Sequence, residues 1–235
     1  MTCRPFTLTH KQLVAHKTWE LTLQSKDDKP YVFTPGQHAD LILSNGQSRT
    51  FSFARAPQPT SNSVSFIFRE SASPFKQAII TDSSTASLLI SSPIGYFRFP
   101  TNQDIPVVLL AGGVGIAPFR SMIEAEQENN ANRAVTLFYS NPTRSDIAYF
   151  EELEQRHHAS PQFTFVPTLT QETPSSWPYV TGRITSEVIR QYAPNFTTSI
   201  YYIAGPSDFV HAMLKTLHTL SVDDLQVKVE DFGDY

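Results

Sequence analysis

The sequence has few of the features that mark several large classes of protein. It contains a single cysteine, Cys3, among 235 residues. An intramolecular disulfide is therefore impossible, and a zinc or iron–sulfur site built from several thiolates is excluded. No apolar run reaches the roughly 18 residues that span a bilayer, and the N-terminus lacks the apolar core of a signal peptide. We expect no integral membrane segment and a cytoplasmic location.

An excess of basic charge is also missing. The 18 basic and 22 acidic residues give a formal net charge of −4, whereas a nucleic-acid-binding protein presents a basic face. We therefore expect no nucleic-acid partner. The apolar and charged fractions, 40% and 17%, are those of an ordinary globular protein, and the length suits two compact domains.

The first hundred residues have the pattern of short strands. Apolar residues alternate with polar ones, as at Leu21 and Leu23, and turn residues such as Asn45-Gly46 separate the stretches. Several strands at this spacing indicate an antiparallel barrel or sandwich. One short helix is predicted within this half, over residues 74–80, with a proline in its first turn.

The second half has a different pattern. Residues 106–111 form a continuous apolar run, which is typical of a buried parallel strand. Helices and strands then alternate to the end of the chain, which indicates βαβ units and a parallel sheet. The change of pattern predicts two domains, residues 1–102 and residues 103–235.

A glycine-rich loop lies between the strand at 106–111 and a helix predicted over 117–128. Gly112, Gly113 and Gly115 allow the backbone to turn tightly and to approach a ligand closely. The helix N-terminus that follows would present free N–H groups to a pyrophosphate. A tight turn that requires glycine only for packing is the alternative interpretation.

This loop, Gly-Gly-Val-Gly-Ile-Ala-Pro-Phe, resembles the NAD(P)H loop of the ferredoxin–NADP reductase superfamily. Pro118 stands where the dehydrogenase pattern G-x-G-x-x-G has its third glycine. Arg49-Thr-Phe-Ser52 resembles the flavin-binding segment of the same family, and further motifs follow in the family's order along nearly the whole chain. The resemblance implies an antiparallel six-stranded β-barrel FAD domain followed by a Rossmann-like parallel-sheet NAD(P) domain.

The resemblance assigns the FAD contacts to two stretches of the barrel. The guanidinium of Arg49 would clamp the pyrophosphate, the ring of Phe51 would pack on the isoalloxazine, and the hydroxyl of Ser52 would orient flavin N5. A later strand and the start of the short helix complete the site. The FAD-binding residues implied are Arg49, Thr50, Phe51, Ser52, Ile67, Phe68, Ser73, Pro74, Phe75 and Lys76.

The NAD(P)H contacts implied by the resemblance fall after three strands of the second domain. Arg144 would lie near the adenosine ribose and favour NADPH through its 2′-phosphate, and an exposed surface arginine is the alternative. Ala204 stands where relatives carry a cysteine. The residues implied are Gly112, Gly113, Gly115, Ile116, Ala117, Pro118, Tyr139, Ser140, Asn141, Arg144, Ala204, Gly205 and Pro206.

The C-terminal residues resemble the acidic–aromatic tail of relatives that hold their flavin tightly. By this resemblance Tyr235, or alternatively Phe232, would cover the isoalloxazine, and Glu230 would be a polar or proton-handling group. Tyr235 and Glu230 would join Ser52 as catalytic residues. A disordered tail is the alternative.

The resemblance implies hydride transfer between NAD(P)H and FAD, followed by electron transfer to a separate acceptor such as ferredoxin or flavodoxin. No metal site is expected, and with one cysteine any iron–sulfur cluster would lie on another protein. Two alternatives remain at this point. One is an NAD(P)H:flavin reductase that uses free flavin as a substrate, and the other is a non-catalytic module that senses nucleotide or redox state.

Overall fold

The computed structural model describes residues 2–27, 29–58, 61–81, 87–129 and 131–233. Packing groups them into two compact units. Unit 1 combines the chain up to Arg98 with Ala117–Ala125, and unit 2 combines Phe99–Ile116 with the chain from Glu126 onward. The domain boundary between residues 102 and 103 stays a sequence-based proposal.

Unit 1 is built on six antiparallel strands. In chain order they are β1 (Cys3–Ala15), β2 (Thr18–Ser25), β3 (His38–Ile42), β4 (Ser48–Ser52), β5 (Ser63–Arg69) and β6 (Ser87–Ser91), with helix α1 (Pro74–Thr81) between β5 and β6. They pair in the order β4-β3-β6-β1-β2-β5. A bridge between Phe53, just after β4, and Phe66 of β5 joins the two outer strands. The sheet closes in this way, which confirms the predicted barrel.

The barrel encloses an apolar core that follows from the alternation of side chains along each strand. Leu21 and Leu23 of β2 are fully buried, as are Phe66 of β5 and Phe53. The rings of Phe33 and Phe53 stack with their centroids 3.9 Å apart. The alternating apolar residues of the sequence therefore mark the inner face of the barrel.

Unit 2 is built on six parallel strands. They are β7 (Val107–Gly112), β8 (Val135–Asn141), β9 (Phe163–Leu169), β10 (Val180–Thr181), β11 (Ile200–Gly205) and β12 (Val227–Asp231). The connecting helices are α2 (Ile116–Glu128), α3 (Phe150–Ala159), α4 (Ser186–Tyr192) and α5 (Ser207–Thr219). Residues Ala117–Ala125 of α2 pack in unit 1. The predicted parallel sheet is confirmed.

The strand order of unit 2 reverses beside β7. The order is β10-β9-β8-β7-β11-β12, so the chain runs outward from β7 in one direction and then resumes on its other side at β11. In open sheets of this type, ligands bind outside the carboxyl ends of the strands at the point of reversal. The strand order therefore predicts a ligand site at the loops that follow β7 and β11.

Helix α3 begins later than its apolar pattern predicts. The pattern suggests a helix from residue 147, but α3 starts at Phe150 because Tyr149 has a left-handed backbone with φ of 60°. A short 3-10 turn, Arg144–Asp146, precedes it, and a reciprocal pair of hydrogen bonds between Thr143 and Asp146 closes this turn. The local capping residues thus override the apolar pattern.

Among the described ranges, no helix is both long enough and apolar enough to cross a membrane. Within the same ranges, histidine, cysteine and carboxylate side chains form no group of three or more suited to a metal ion.

Candidate functional site

The first group of predicted residues lies on β4 of unit 1. Arg49 is exposed, and its Nη1 donates a hydrogen bond of 2.8 Å to the Ser48 carbonyl. Phe51 packs against the barrel core through Phe68 and Phe75, with ring centroids 6.0 and 5.9 Å away. Ser52 is 7% exposed. The motif therefore begins with an exposed guanidinium and ends with a buried serine.

Lys76, in the first turn of α1, lies within electrostatic range of Arg49 on β4. Lys76 is buried, and this burial, together with the positive charge of Arg49, lowers the pKa of Lys76 below its ordinary value. A nearby anion would favour the charged form of Lys76. This pair fits a pyrophosphate.

The residue before α1 adds a polar group that the protein itself leaves unsatisfied. The hydroxyl of Ser73 is buried and has no hydrogen-bond partner among the described residues. A serine at this position ordinarily caps the helix by accepting an N–H bond. Because a buried unpaired hydroxyl is costly, Ser73 and the N–H groups of the first turn fit an anionic ligand at this helix start.

Three other predicted FAD residues belong largely to the interior. Phe68 and Phe75 lie in the barrel core, and Ile67 is 3% exposed. Thr50, by contrast, is exposed, and its hydroxyl bonds Asp40 at 2.5 Å. The side chains of these residues shape and support the strand and helix, and direct contact with a flavin stays a prediction for each of them.

The glycine loop of unit 2 leads from β7 into α2 and lies against the end of β11. A Cβ on Gly115 would lie 2.0 Å from the Ala204 carbonyl oxygen, so only glycine allows this approach. Gly113 has a left-handed backbone with φ of +53° and open space where a Cβ would be. The loop thus packs closely against β11 at Gly115 and leaves space beside Gly113, an arrangement that fits a bound pyrophosphate.

A second set of unsatisfied polar groups lies where β8 and β9 end. Asn141 is 2% exposed and Thr168 is fully buried. Both side-chain polar atoms of Asn141 and the hydroxyl of Thr168 lack hydrogen-bond partners within the described part of the chain. Ser140 pairs with Thr168 in the sheet register, so the two groups lie on neighbouring strands. Asn141 pairs with Leu169, so the side chains of Asn141 and Thr168 lie on opposite faces of the sheet. The unpaired amide of Asn141, at the end of β8, fits a hydroxyl group of a ribose. Thr168 was not predicted, because a strand threonine carries no distinguishing signal.

Arg144 is already partnered on several sides. Its guanidinium carbon lies 4.5 Å from the centre of the Phe150 ring and 5.9 Å from that of Trp177. The Glu151 carboxylate lies 4.0 Å from the guanidinium, and the Arg144 backbone N–H donates to Glu172 at 2.8 Å. The side chain is therefore held by aromatic rings beside the end of β8, and its role toward a 2′-phosphate stays a prediction.

The loop after β11 holds the beginning of the C-terminal segment. The Phe232 N–H donates to the Gly205 carbonyl at 3.0 Å, and the Ser207 hydroxyl donates to Asp231 at 2.8 Å. The Gly233 N–H and this hydroxyl hold the pKa of Asp231 below its usual value. Glu230 pairs with Ala204 in the register of β12 and β11. Tyr235 lies outside the described residues, so its role stays a prediction.

The remaining predicted residues lie on the same strands and loops. Ile116, Ala117 and Pro118 open α2 and are buried, Tyr139 is buried on β8, and Pro206 lies directly before α5. Unit 1 thus offers an anion site at β4 and α1, and unit 2 offers a nucleotide site at the carboxyl ends of its central strands. A protein with this pair of sites is suited to two nucleotide cofactors.

Comparison with known proteins identifies the family. Residues 109–215 match the family model for the oxidoreductase NAD-binding domain. The flavohem-like FAD/NAD-binding domain of nitric oxide dioxygenase from Vibrio cholerae shares the fold, with a TM-score of 0.85, 18% identity, and 98% and 99% of the two chains covered. A ferredoxin NADP⁺ reductase from Neisseria gonorrhoeae with bound FAD and NADP gives a TM-score of 0.77, 19% identity and 98% coverage of both chains. Residues 109–215 therefore carry an oxidoreductase NAD-binding domain, and the whole chain shares the fold of these FAD- and NAD(P)-binding reductases.

Among curated proteins, the chain is 27% identical over 236 residues to the reductase component of propane 2-monooxygenase from Mycolicibacterium smegmatis, covering 95% of this chain and 67% of that protein. It spans 62% and 49% of the lengths of two further relatives. The chain is therefore shorter than these curated proteins.

Proposed function

We propose that this protein is a flavin-dependent reductase that binds FAD in unit 1 and NAD(P)H in unit 2, and delivers electrons to a separate acceptor protein. The observation that carries the proposal is the set of polar groups at the start of α1. The buried Lys76, the exposed Arg49 and the unpaired hydroxyl of Ser73 together suit a pyrophosphate.

The chain's own residues would bind and orient the two cofactors. Arg49, Ser73 and Lys76 would hold the FAD pyrophosphate, and Ser52 would orient the isoalloxazine. The loop from Gly112 to Gly115 would receive the coenzyme pyrophosphate, and Asn141 at the end of β8 would contact its ribose. When bound, the flavin and the nicotinamide supply the hydride chemistry, which needs no charged acid–base pair from the protein.

The acceptor is proposed to be a separate redox protein, with ferredoxin or flavodoxin as the specific candidates. Support comes from the relative named as the reductase component of a monooxygenase. We would test the proposal by following NAD(P)H oxidation with a ferredoxin, a flavodoxin or free flavin as the acceptor. Turnover with a protein acceptor while FAD stays bound supports the proposal. Turnover with free flavin alone would assign the protein to the flavin reductases instead.

Lys76 predicts a pH dependence of FAD binding. Its pKa is lowered in the free protein, and a bound pyrophosphate would raise it, because the anion favours the charged amine. The affinity for FAD should therefore be highest at pH values below the pKa of Lys76 in the free protein. It should fall as pH rises above that pKa, through the range that leads up to the ordinary lysine pKa of about 10.4. Titration of FAD at several pH values measures this. In Lys76→Met the pH dependence of FAD affinity should disappear. The control Lys228→Met, which changes an exposed lysine, should retain it. An unchanged pH dependence in Lys76→Met would show that Lys76 does not contact FAD.

Arg144 predicts a modest preference for NADPH. Its guanidinium is 53% exposed, and exposed ion pairs contribute about 0.2–1 kcal/mol. Arg144→Ala should therefore lower the ratio of kcat/KM for NADPH to that for NADH by roughly two- to fivefold. Arg190→Ala, which removes an exposed arginine from α4, is the control. An unchanged ratio in Arg144→Ala would mean that the aromatic contacts of Arg144 are its whole role.

A further inference from the structure

Three polar side chains of α2 hold a short segment of the barrel. Arg120 Nη1 donates to the Ala54 carbonyl at 2.8 Å, and the Ser121 hydroxyl donates to the Arg55 carbonyl at 2.8 Å. Glu124 Oε2 accepts from the Ala56 N–H at 2.7 Å. We call Arg120, Ser121 and Glu124 the α2 clamp. All of these groups belong to unit 1.

The α2 clamp is buried and charged. Arg120 is 2% exposed, Ser121 is fully buried and Glu124 is 7% exposed. Behind Arg120 lies Glu20, itself 2% exposed, whose Oε1 lies 3.6 Å from Arg120 Nη1. Gln12 donates to the other carboxylate oxygen of Glu20 at 3.0 Å. Apolar residues of similar volume often stabilise a core as well as a buried ion pair does, so stability alone does not account for this cluster.

The held segment directly follows the β4 motif. Ala54 is two residues after Ser52, and its N–H is bonded to the Ser65 carbonyl of β5 at 2.8 Å. Phe53 N–H is bonded to the Gln37 carbonyl at 3.0 Å. The chain after Ser52 is thus fixed by the barrel through the N–H groups of Phe53 and Ala54, and by α2 through the carbonyls of Ala54 and Arg55 and the N–H of Ala56. A shift of the clamp would move the end of β4.

We propose that the α2 clamp is a positioning device for the flavin, which sets the place of Ser52 and Phe51 by fixing Ala54–Ala56. This inference rests on the proposed function, because it requires that FAD bind at β4. Arg120, Ser121 and Glu124 act through the backbone and touch no cofactor. They are positioning residues, and the sequence patterns that reveal cofactor loops do not reveal them.

The experiment compares Arg120→Met with the same substitution at a second buried arginine, Arg133. Arg133 of unit 2 is 3% exposed, pairs with Glu126, and donates to the carbonyls of Pro100, Asn102 and Ile105. Arg133→Met therefore removes a buried, hydrogen-bonded guanidinium from unit 2, whereas β4 belongs to unit 1. For each variant we would measure Tm, the Kd for FAD, and the reduction potential and visible circular dichroism of the bound flavin. Arg120→Met should raise the Kd for FAD roughly ten- to hundredfold and alter the flavin's dichroism and potential, and Arg120→Lys should recover part of both.

Arg133→Met should lower Tm but leave the flavin signals unchanged. The inference is overturned when Arg120→Met and Arg133→Met lose FAD equally and in proportion to their loss of Tm. If Arg120→Met does not fold, Ser121→Ala is measured in the same way instead. It removes one hydrogen bond, so we expect it to raise the Kd for FAD severalfold. Wild-type protein that binds no FAD would instead contradict the proposed function itself.

Discussion

Substituting Gly115 by alanine is expected to lower kcat/KM for NAD(P)H by roughly a hundredfold while FAD remains bound. The new Cβ would lie 2.0 Å from the Ala204 carbonyl oxygen and 2.5 Å from its carbon. Because both atoms belong to the backbone, the glycine loop or the end of β11 must move. A misplacement of about 1 Å in a binding site can cost on the order of a hundredfold in rate.

The control for this substitution is Gly46→Ala in unit 1. Gly46 has φ of +83°, and a Cβ added there would have nothing within 4 Å, so alanine carries a backbone cost of roughly 1–2 kcal/mol without a clash. Steady-state kinetics with each coenzyme, together with Tm, separates the two effects. Equal kcat/KM for Gly115→Ala and Gly46→Ala would mean that the glycine loop does not bind the coenzyme.

Arg49→Ala is expected to raise the Kd for FAD by roughly ten- to 150-fold, because a hydrogen bond to a charged group contributes about 1.5–3 kcal/mol. Arg49 is exposed, and its guanidinium bonds the carbonyl of the preceding residue, so its removal should cost little stability. Equilibrium titration by flavin fluorescence measures the change.

Two further variants make the Arg49 result specific. Arg49→Lys keeps the charge but loses the two-pronged geometry of the guanidinium, so it should recover only part of the affinity. Arg190→Ala removes an exposed arginine from α4 of unit 2 and should leave the Kd unchanged. Flavin binding that is equally tight in Arg49→Ala and the wild type would show that the pyrophosphate lies elsewhere.

The sequence was sufficient to predict the two sheets, because their apolar patterns differ in kind. Residues 106–111 are continuously apolar and form most of β7, every residue of which is buried. Leu21 and Leu23 alternate with polar residues and line the barrel. The long strand β1 was missed, since register shifts after Leu8 and Leu13 interrupt its alternation.

The parts of the candidate site that are contiguous in sequence were predictable. The parts that the tertiary fold brings together from distant positions were not. The glycine loop and Arg49–Ser52 are contiguous in sequence, so a resemblance could identify them. Thr168 and Asn141 come onto neighbouring strands only through the pairing of β8 and β9. Arg120 meets the Ala54 carbonyl 66 residues away in the chain, and no local pattern predicts such a bond.

The central claim is that the protein binds FAD and that bound FAD accepts hydride from NAD(P)H. The most direct measurement is the visible spectrum of the FAD-reconstituted protein during anaerobic titration with NADH and with NADPH. The account predicts that FAD stays with the protein through gel filtration and that its oxidised absorption is lost in stoichiometric proportion to the coenzyme added. Protein that retains no FAD, or bound FAD that stays oxidised with both coenzymes, would contradict it.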